Sequence, residues 1–168
     1  PQIQDNLTLW KQLTFVELAK EVIGIFAEDI SKDILDPIVD RAYQDFDHPD
    51  VVGLEVLENI HVLELFHGPT LAFKDIALQL LGGLFTEILG QTKEHLNILG
   101  ATSGDTGSAA IAAIRGRPNM DIFIMYPDKK VSPLQELQMT TNLDSNVHCI
   151  AIKGSFDDCQ NLMKNVFG

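Results

Sequence analysis

The sequence is poor in the residues that hold disulfide-rich and metal-binding proteins together. It has two cysteines in 168 residues, Cys149 and Cys159, which is too few for a disulfide framework at this length. Their C-x9-C spacing is not that of zinc ligands, and the five histidines form no i, i+4 pair. We therefore predict two buried thiols and no metal site.

Long apolar runs are also missing. No stretch of about 18 apolar residues is present to cross a bilayer, and no basic region followed by an apolar one indicates export. The chain begins at Pro1 and stops at Gly168, directly after the helical pattern NLMKNVF, so both ends look truncated. We expect a piece of a longer cytoplasmic protein with no membrane partner, although a removed leader stays open.

Basic residues are scarce. The chain has 12 Lys and Arg against 24 Asp and Glu, and its formal net charge of −12 argues against nucleic acid as a partner. Residues 1–60 carry a net charge of −9, whereas residues 61–168 carry only −3. The second part of the chain is therefore still compatible with an anionic cofactor or substrate.

The first 50 residues have the pattern of helices. Thr14 and Glu17 form a capping box at the start of one helix, and Asp36-Pro37 predicts the N-cap and first residue of another helix that ends near Tyr43. The first helix has apolar residues at helical spacing: Phe15, Leu18, Ala19, Val22, Ile23 and Phe26. We predict an N-terminal helical segment over residues 1–50.

From residue 51 onward, short apolar runs alternate with helical patterns. Near-continuous apolar strands joined by helices of about 10 residues indicate an α/β fold: a doubly wound, mainly parallel sheet with helices on both faces. Residues 51–168 would form part of this domain. The predicted strands are 62–66, 96–101, 121–126 and 147–152, and the predicted helices lie near 74–90, 106–115, 132–141 and 156–167.

Ligands of such sheets bind where strands end and helices begin, and Lys74 lies at one of these junctions. It follows the turn-forming pair Gly68-Pro69 and three apolar residues, 71–73. An apolar environment would lower the pKa of the ammonium group and leave the amine able to form a Schiff base with an aldehyde. On position alone, a surface lysine at a helix start, beside Asp75, is the more common case.

A second junction carries the small-residue loop GATSGDTGS, residues 100–108. The N–H groups of a helix N-terminus, with the hydroxyls of Thr102, Ser103 and Thr106, could bind a carboxylate or phosphate. The glycine spacing is neither that of a dinucleotide-binding fingerprint nor that of a P-loop. The alternative is a glycine-rich turn that serves only tight packing of strand against helix.

Three motifs together resemble those of the threonine synthase family. ELFHGPTLAFKD (64–75) resembles the motif whose lysine binds pyridoxal 5′-phosphate (PLP), and GATSGDTGSAAI (100–111) resembles the loop that binds the substrate carboxylate. VSPLQELQMTT (131–141) is similar to the next helix of that family. The order and spacing agree as well, and the resemblance extends from Thr14 to the end of the chain.

This resemblance implies a fold type II PLP enzyme of threonine biosynthesis. Such an enzyme is a lyase that converts O-phospho-L-homoserine and water to L-threonine and phosphate by γ-elimination and β-addition of water. By motif, Lys74 would bind PLP and then shuttle protons. Thr102, Ser103, Gly104 and Thr106 would hold the substrate carboxylate. Asp105 stands where related enzymes place an Asn against the ring hydroxyl, and it would have to keep or share a proton to imitate that Asn as a donor.

Two parts of a complete site lie further along the chain in this family: the loop for the cofactor phosphate and the hydroxyl partner of the pyridine nitrogen. We therefore expect residues 51–168 to be only part of the PLP-binding domain, and the chain alone to bind PLP weakly and to turn over no substrate. Two alternatives stay open. One is another fold type II lyase, such as a threonine dehydratase-like enzyme, and the other is a noncatalytic relative that binds PLP or a phosphorylated ligand.

Overall fold

The computed structural model describes residues 2–168, with side chains from residue 4 onward. The chain divides into two compact units, Pro1–Ile76 and Ala77–Gly168. One helix, α4, begins at the end of the first unit and continues into the second. The part of the chain that is described contains no helix long and apolar enough to cross a membrane.

The first unit begins with three helices, α1 (Gln2–Trp10), α2 (Phe15–Phe26) and α3 (Lys32–Tyr43). The predicted capping box starts α2: the N–H of Glu17 donates to Thr14 Oγ1 at 3.3 Å, and the N–H of Thr14 donates to Glu17 Oε2 at 2.8 Å. Helices α2 and α3 pack against each other. The predicted start of α2 is therefore confirmed.

Helix α3 ends at Tyr43 as predicted, but its predicted start at Pro37 is wrong. It begins at Lys32 after the N-cap Ser31, and Pro37 lies inside it. Proline fits the helical φ, but it loses the hydrogen bond that an N–H would have made, and its ring crowds the carbonyl of the residue four positions earlier. Burial on both sides of the proline outweighs this loss, because the buried residues recur at helical spacing from before it: Leu35, Ile38, Val39, Ala42 and Tyr43.

A β-hairpin follows, formed by β1 (Gly53–Leu57) and β2 (Ile60–Glu64). The two strands are antiparallel, with Gly53 opposite Glu64 and Leu57 opposite Ile60. The predicted strand 62–66 therefore lies two residues too late and belongs to a separate two-stranded sheet. The two-residue turn, in which Glu58 has φ 53°, sets the register. Strand β2 ends at Glu64 because its partner there, Gly53, is the first residue of β1.

The second unit is a three-stranded parallel sheet with strand order β3-β4-β5. Its elements, with α4 before β3, are α4 (Lys74–Thr92), β3 (Leu96–Ala101), α5 (Asp105–Ile114), β4 (Met120–Pro127), α6 (Pro133–Thr140), β5 (Val147–Ile152) and α7 (Phe156–Phe167). Every predicted element from residue 74 onward is present, and the predicted bounds of β3, β5 and α7 coincide with the observed ones.

The core of this unit lies on one face of β4, whose alternate side chains Met120, Ile122, Ile124 and Tyr126 are buried. They pack with Leu89 of α4, Ile111 and Ile114 of α5 and Met139 of α6. Helices α5 and α6 contact each other, and α7 contacts β3 and β4. The predicted α/β class, a parallel sheet flanked by helices, is confirmed.

Asn146 ties the carboxyl end of α5 to the start of β4. Its Oδ1 accepts a hydrogen bond from the Gly116 N–H at 2.9 Å, and its Nδ2 donates to the carbonyls of Ile114 (3.1 Å), Met120 (2.9 Å) and Arg117 (3.4 Å). One amide side chain thus satisfies several backbone groups that helix and strand geometry leave over at their ends.

The two cysteines are free, Cys159 buried and Cys149 half-buried. Desolvation by burial raises the pKa of both thiols above the usual range. Thiolate chemistry is therefore disfavoured at both positions.

Candidate active site

Lys74 is the first residue of α4 and follows a tight turn over residues 68–71. The N–H of Leu71 donates to the Gly68 carbonyl at 3.0 Å, and Leu71 has the left-handed φ of 59°. Three residues later the chain enters the helix. Lys74 therefore stands where an irregular turn changes into a regular helix.

The carboxylate of Asp75 is fully buried and faces this turn. Its Oδ2 accepts a hydrogen bond from the Thr70 N–H at 2.8 Å and a longer one from the Ala72 N–H at 3.5 Å, while Oδ1 accepts one from the Thr70 hydroxyl at 2.7 Å. Within residues 2–168, neither Lys74 nor Asp75 takes part in an ion pair. Asp75 therefore does not compensate the charge of Lys74.

Lys74 is half-buried, and its Nζ lies 4.0 Å from the ring centroid of Phe73. The face of this ring attracts the ammonium group but cannot exchange a proton with it. The first turn of α4 is fixed from another side, because the Tyr43 hydroxyl donates to the Ile76 carbonyl at 3.1 Å. Burial raises the pKa of Tyr43 to about 12. The helix that carries Lys74 is thus held in place while the amine itself has no carboxylate partner among the described side chains.

His67 fixes the entry into the turn. Its Nδ1 lies 3.0 Å from Asp47 Oδ1, and its Nε2 lies 3.0 Å from Glu64 Oε2. The backbone N–H of Asp47 also donates to the His67 carbonyl at 2.9 Å. No role for His67 was predicted from the sequence. The available signal was a histidine directly before Gly-Pro with an acidic residue three positions earlier.

In the second unit, Thr102 organises the predicted anion loop from inside. It is 2% exposed, and its N–H donates to the Met125 carbonyl at 2.9 Å. Its Oγ1 accepts hydrogen bonds from the N–H groups of Gly104 (3.1 Å) and Gly107 (2.9 Å) and donates to the Gly104 carbonyl at 3.2 Å. The hydroxyl is therefore already used within the loop.

Gly104 is the N-cap of α5 and has φ 151°, a conformation that favours glycine. A Cβ atom at this position would overlap the side chain of Gln135. Gln135 belongs to the capping box of α6 and donates from Nε2 to Asp105 Oδ1 at 2.6 Å. The loop thus packs directly on the start of α6, and Asp105 is oriented by Gln135, a contact that the sequence did not predict.

Ser103, which precedes α5, and Thr106, in the first turn of α5, are both exposed. The N–H groups of Asp105 and Thr106 have no acceptor within the helix, because none precedes them in it. Those of Gly107 and Ser108 are already bonded to Thr102 and Gly104. Hydroxyls and N–H groups therefore occur together at the carboxyl end of β3. This is the part of a parallel sheet where ligands bind.

Comparison with known proteins agrees with this fold. A sequence model described as the N terminus of threonine synthase matches residues 1–43. Threonine synthase of Schizosaccharomyces pombe is 49% identical over 180 residues, which cover 100% of this chain and 35% of that protein. The crystal structure of PLP-bound threonine synthase from Brucella melitensis superposes with a TM-score of 0.90 at 47% identity, over 97% of this chain and 36% of that one. The chain belongs to the threonine synthase family.

Threonine synthase from yeast gives the same result, with a TM-score of 0.88 and 41% identity over 96% of this chain and 35% of that structure. The chain thus spans about a third of the length of its threonine synthase relatives, 35% of the fission yeast protein.

Five of the six site residues predicted from the threonine synthase motifs lie together in one loop: Thr102, Ser103, Gly104, Asp105 and Thr106. The sixth, Lys74, belongs to the other compact unit. Within residues 2–168 no group of three or more His, Cys, Asp or Glu side chains is arranged to hold a metal ion.

Proposed function

We propose that the protein carrying this chain is a PLP-dependent carbon–oxygen lyase, a threonine synthase that converts O-phospho-L-homoserine and water to L-threonine and phosphate. The observation that carries the proposal is Lys74, a half-buried residue at the start of α4, with the carboxylate next to it in sequence hydrogen-bonded to the preceding turn. A lysine held in this way is available to bond covalently to an aldehyde.

The side chains present are compatible with PLP. Lys74 would hold the cofactor through its aldehyde carbon, and after the substrate amine replaces it, the released amine could take up and return protons. When bound, PLP withdraws electrons from the substrate carbon next to the carboxylate. The exposed ring of Phe73 beside Nζ would limit the access of water to the amine.

In this proposal, the loop over residues 102–106 binds the substrate carboxylate. Ser103 and Thr106 would donate from their hydroxyls, and the N–H groups at the start of α5 would add the positive end of the helix dipole. Gly104 would shape the loop for the carboxylate by letting it pack against Gln135, whose side chain occupies the place of the missing Cβ. Thr102, with its hydroxyl bonded inside the loop, would support this arrangement from beneath.

Asp105 would face the ring hydroxyl of the cofactor. Gln135 already donates to Oδ1, which leaves Oδ2 as the acceptor for a hydroxyl proton. In this arrangement Asp105 accepts a hydrogen bond from the ring hydroxyl, whereas an Asn would donate one. Residues 51–168 would then form part of the PLP-binding domain, preceded by the helical segment 1–50. The cytoplasmic location stays a prediction.

Borohydride reduction of the PLP-loaded full-length protein tests the central step. We expect the pyridoxyl group on the peptide that contains Lys74 and L-threonine formation from O-phospho-L-homoserine, both lost in Lys74→Ala. Lys93→Ala is the matched control, because Lys93 follows the other end of α4 and is exposed. Fixation of the cofactor on any other lysine would contradict the proposal.

The same assays separate the alternatives. A threonine dehydratase-like enzyme would consume L-threonine and leave O-phospho-L-homoserine unchanged. A noncatalytic relative would bind PLP or phosphate without product formation in either assay. For the 168-residue chain alone we expect weak PLP binding and no turnover, and threonine formation by the isolated chain would contradict that expectation.

A further inference from the structure

The Asp75 carboxylate has no role in the proposed chemistry, yet it is fully buried beside the proposed cofactor lysine. A buried carboxylate is tolerated only where hydrogen-bond donors satisfy it. Asp75 takes these donors from the turn before the lysine: the N–H and the hydroxyl of Thr70, at 2.8 and 2.7 Å, and the more distant N–H of Ala72. The side chain therefore holds the turn.

The backbone of the turn lies directly on this side chain. A Cβ atom at Gly68 would come within 2.5 Å of Asp75 Cβ and 2.7 Å of Oδ2, so only glycine fits there. Leu71 has a left-handed φ of 59°, which is unfavourable for a residue with a side chain. Such a conformation persists only where surrounding contacts impose it. The hydrogen bonds of Asp75 are contacts of this kind.

Lys74 lies between this turn and a helix that is anchored separately. On one side the turn is bonded to Asp75, and on the other the Ile76 carbonyl accepts the hydroxyl of Tyr43 at 3.1 Å. The backbone is therefore constrained on both sides of Lys74, at the turn before it and at Ile76 after it. The side chain of Lys74 starts from a backbone that has little freedom to move.

We propose that Asp75 is a positioning residue, which holds the turn over residues 68–72 so that the Lys74 amine meets the cofactor aldehyde in one orientation. The inference rests on the proposed function of Lys74. Its chemistry is geometric: Asp75 exchanges no proton with the amine and acts through hydrogen bonds to the turn.

Two substitutions separate hydrogen bonding from charge. Asp75→Ala removes both carboxylate oxygens that accept hydrogen bonds from the turn. Asp75→Asn removes the charge but keeps the bonds, because the amide oxygen can accept from the Thr70 N–H and the amide N–H can donate to the Thr70 hydroxyl. The measured quantity is the rate at which the full-length apoprotein attaches PLP covalently, followed by absorbance and mapped to Lys74 by borohydride reduction.

We expect Asp75→Ala to slow attachment by about a hundredfold, since a displacement of about 1 Å at a reacting group costs on that order in rate. Asp75→Asn should attach PLP at close to the wild-type rate, with the absorbance of the bound cofactor changing with pH as in the wild type. Asp33→Ala is the matched control: Asp33 also follows a lysine at the start of a helix, but it is exposed. It should leave the rate unchanged.

Thr70→Val provides a second variant if Asp75→Ala does not fold. It removes one donor to the carboxylate while conserving the shape of the side chain, and we expect about tenfold slower attachment. The inference would be overturned if Asp75→Ala attached PLP as fast as Asp33→Ala and the wild type. If Asp75→Ala is unfolded, a wild-type rate for Thr70→Val would overturn it. Equal slowing by Asp75→Ala and Asp75→Asn would overturn it too, in favour of a role for charge. Fixation of PLP on another lysine in the wild type would instead refute the proposed function of Lys74.

Discussion

Replacing Thr102 by valine tests whether its hydroxyl organises the loop before α5. The hydroxyl is the acceptor for the N–H groups of Gly104 and Gly107. In Thr102→Val the Gly107 N–H keeps a second acceptor, the Gly104 carbonyl at 3.1 Å, but the Gly104 N–H is left without one. An unsatisfied buried donor costs about 1–3 kcal/mol.

The added methyl group also creates a steric problem. It would stand about where Oγ1 now lies, 2.9 and 3.1 Å from two backbone nitrogens. Carbon contacts are optimal at about 3.5 Å or more, and overpacking of this kind costs about 1–3 kcal/mol. We therefore expect Thr102→Val to lower the free energy of unfolding by about 3 kcal/mol.

Urea denaturation measures this loss, and hydrogen exchange in peptides covering residues 100–108 locates it. Thr102→Ser keeps the hydroxyl and loses one buried methyl, so it should cost about 1 kcal/mol. Ser103→Ala, at an exposed position of the same loop, should stay within about 0.5 kcal/mol of the wild type while weakening substrate binding. The reasoning is wrong if valine and serine at position 102 give equal stability.

Three further predictions concern other positions. Asn146→Ala should destabilise the protein by about 2 kcal/mol in urea, because several backbone groups lose their partner, whereas the exposed Asn165→Ala should have little effect. Gly104→Ala should weaken binding of O-phospho-L-homoserine in a direct titration, because its Cβ would displace the loop, and Gly90→Ala, with open space around it, should not. Burial raises the pKa of Tyr43 from 10.0 to about 12, so the stability linked to its neutral form is complete below pH 10 and is lost as the pH rises towards 12. Tyr43→Phe should remove most of this loss of stability at high pH. An unchanged pH profile of stability in Tyr43→Phe would contradict the raised pKa of Tyr43.

The parallel sheet was predictable because its strands are short apolar runs separated by complete helical patterns. The bounds of β3 and β5 follow from the polar residues that flank each apolar run. The hairpin was not predictable in this way. Strand β1, GLEVL, has exposed side chains along most of its length, so it lacks the burial pattern that marks a strand. Its existence depends on pairing with β2, a non-local contact.

The start of α3 was missed for a related reason. Proline is most frequent in the first turn of helices, so the pair Asp36-Pro37 suggested a helix start. The buried side chains Leu35 and Ile38 lie on both sides of the proline and require a continuous helix. The preference of proline for the first turn was therefore outweighed by the burial of these side chains. The local sequence does not specify that burial.

In the candidate site, residue types were predictable but their partners were not. Thr102 was expected to present its hydroxyl to a ligand, in the same way as Ser103 and Thr106. The three hydroxyls differ only in burial, since Thr102 is enclosed and the other two are exposed. The buried hydroxyl of Thr102 supports the loop instead of contacting a bound molecule, because an enclosed hydroxyl must satisfy its hydrogen bonds within the protein.

The dipeptide Lys-Asp shows how far local sequence determines function here. It begins both α3, at residues 32–33, and α4, at residues 74–75. In α3 the aspartate is exposed and the lysine forms an ion pair with Glu21 at 2.9 Å. In α4 the turn starting at Gly68 folds back onto the aspartate and encloses its carboxylate, so the lysine has no carboxylate partner among residues 2–168. The same dipeptide therefore begins both helices, but the reactivity proposed for Lys74 depends on the turn that precedes it.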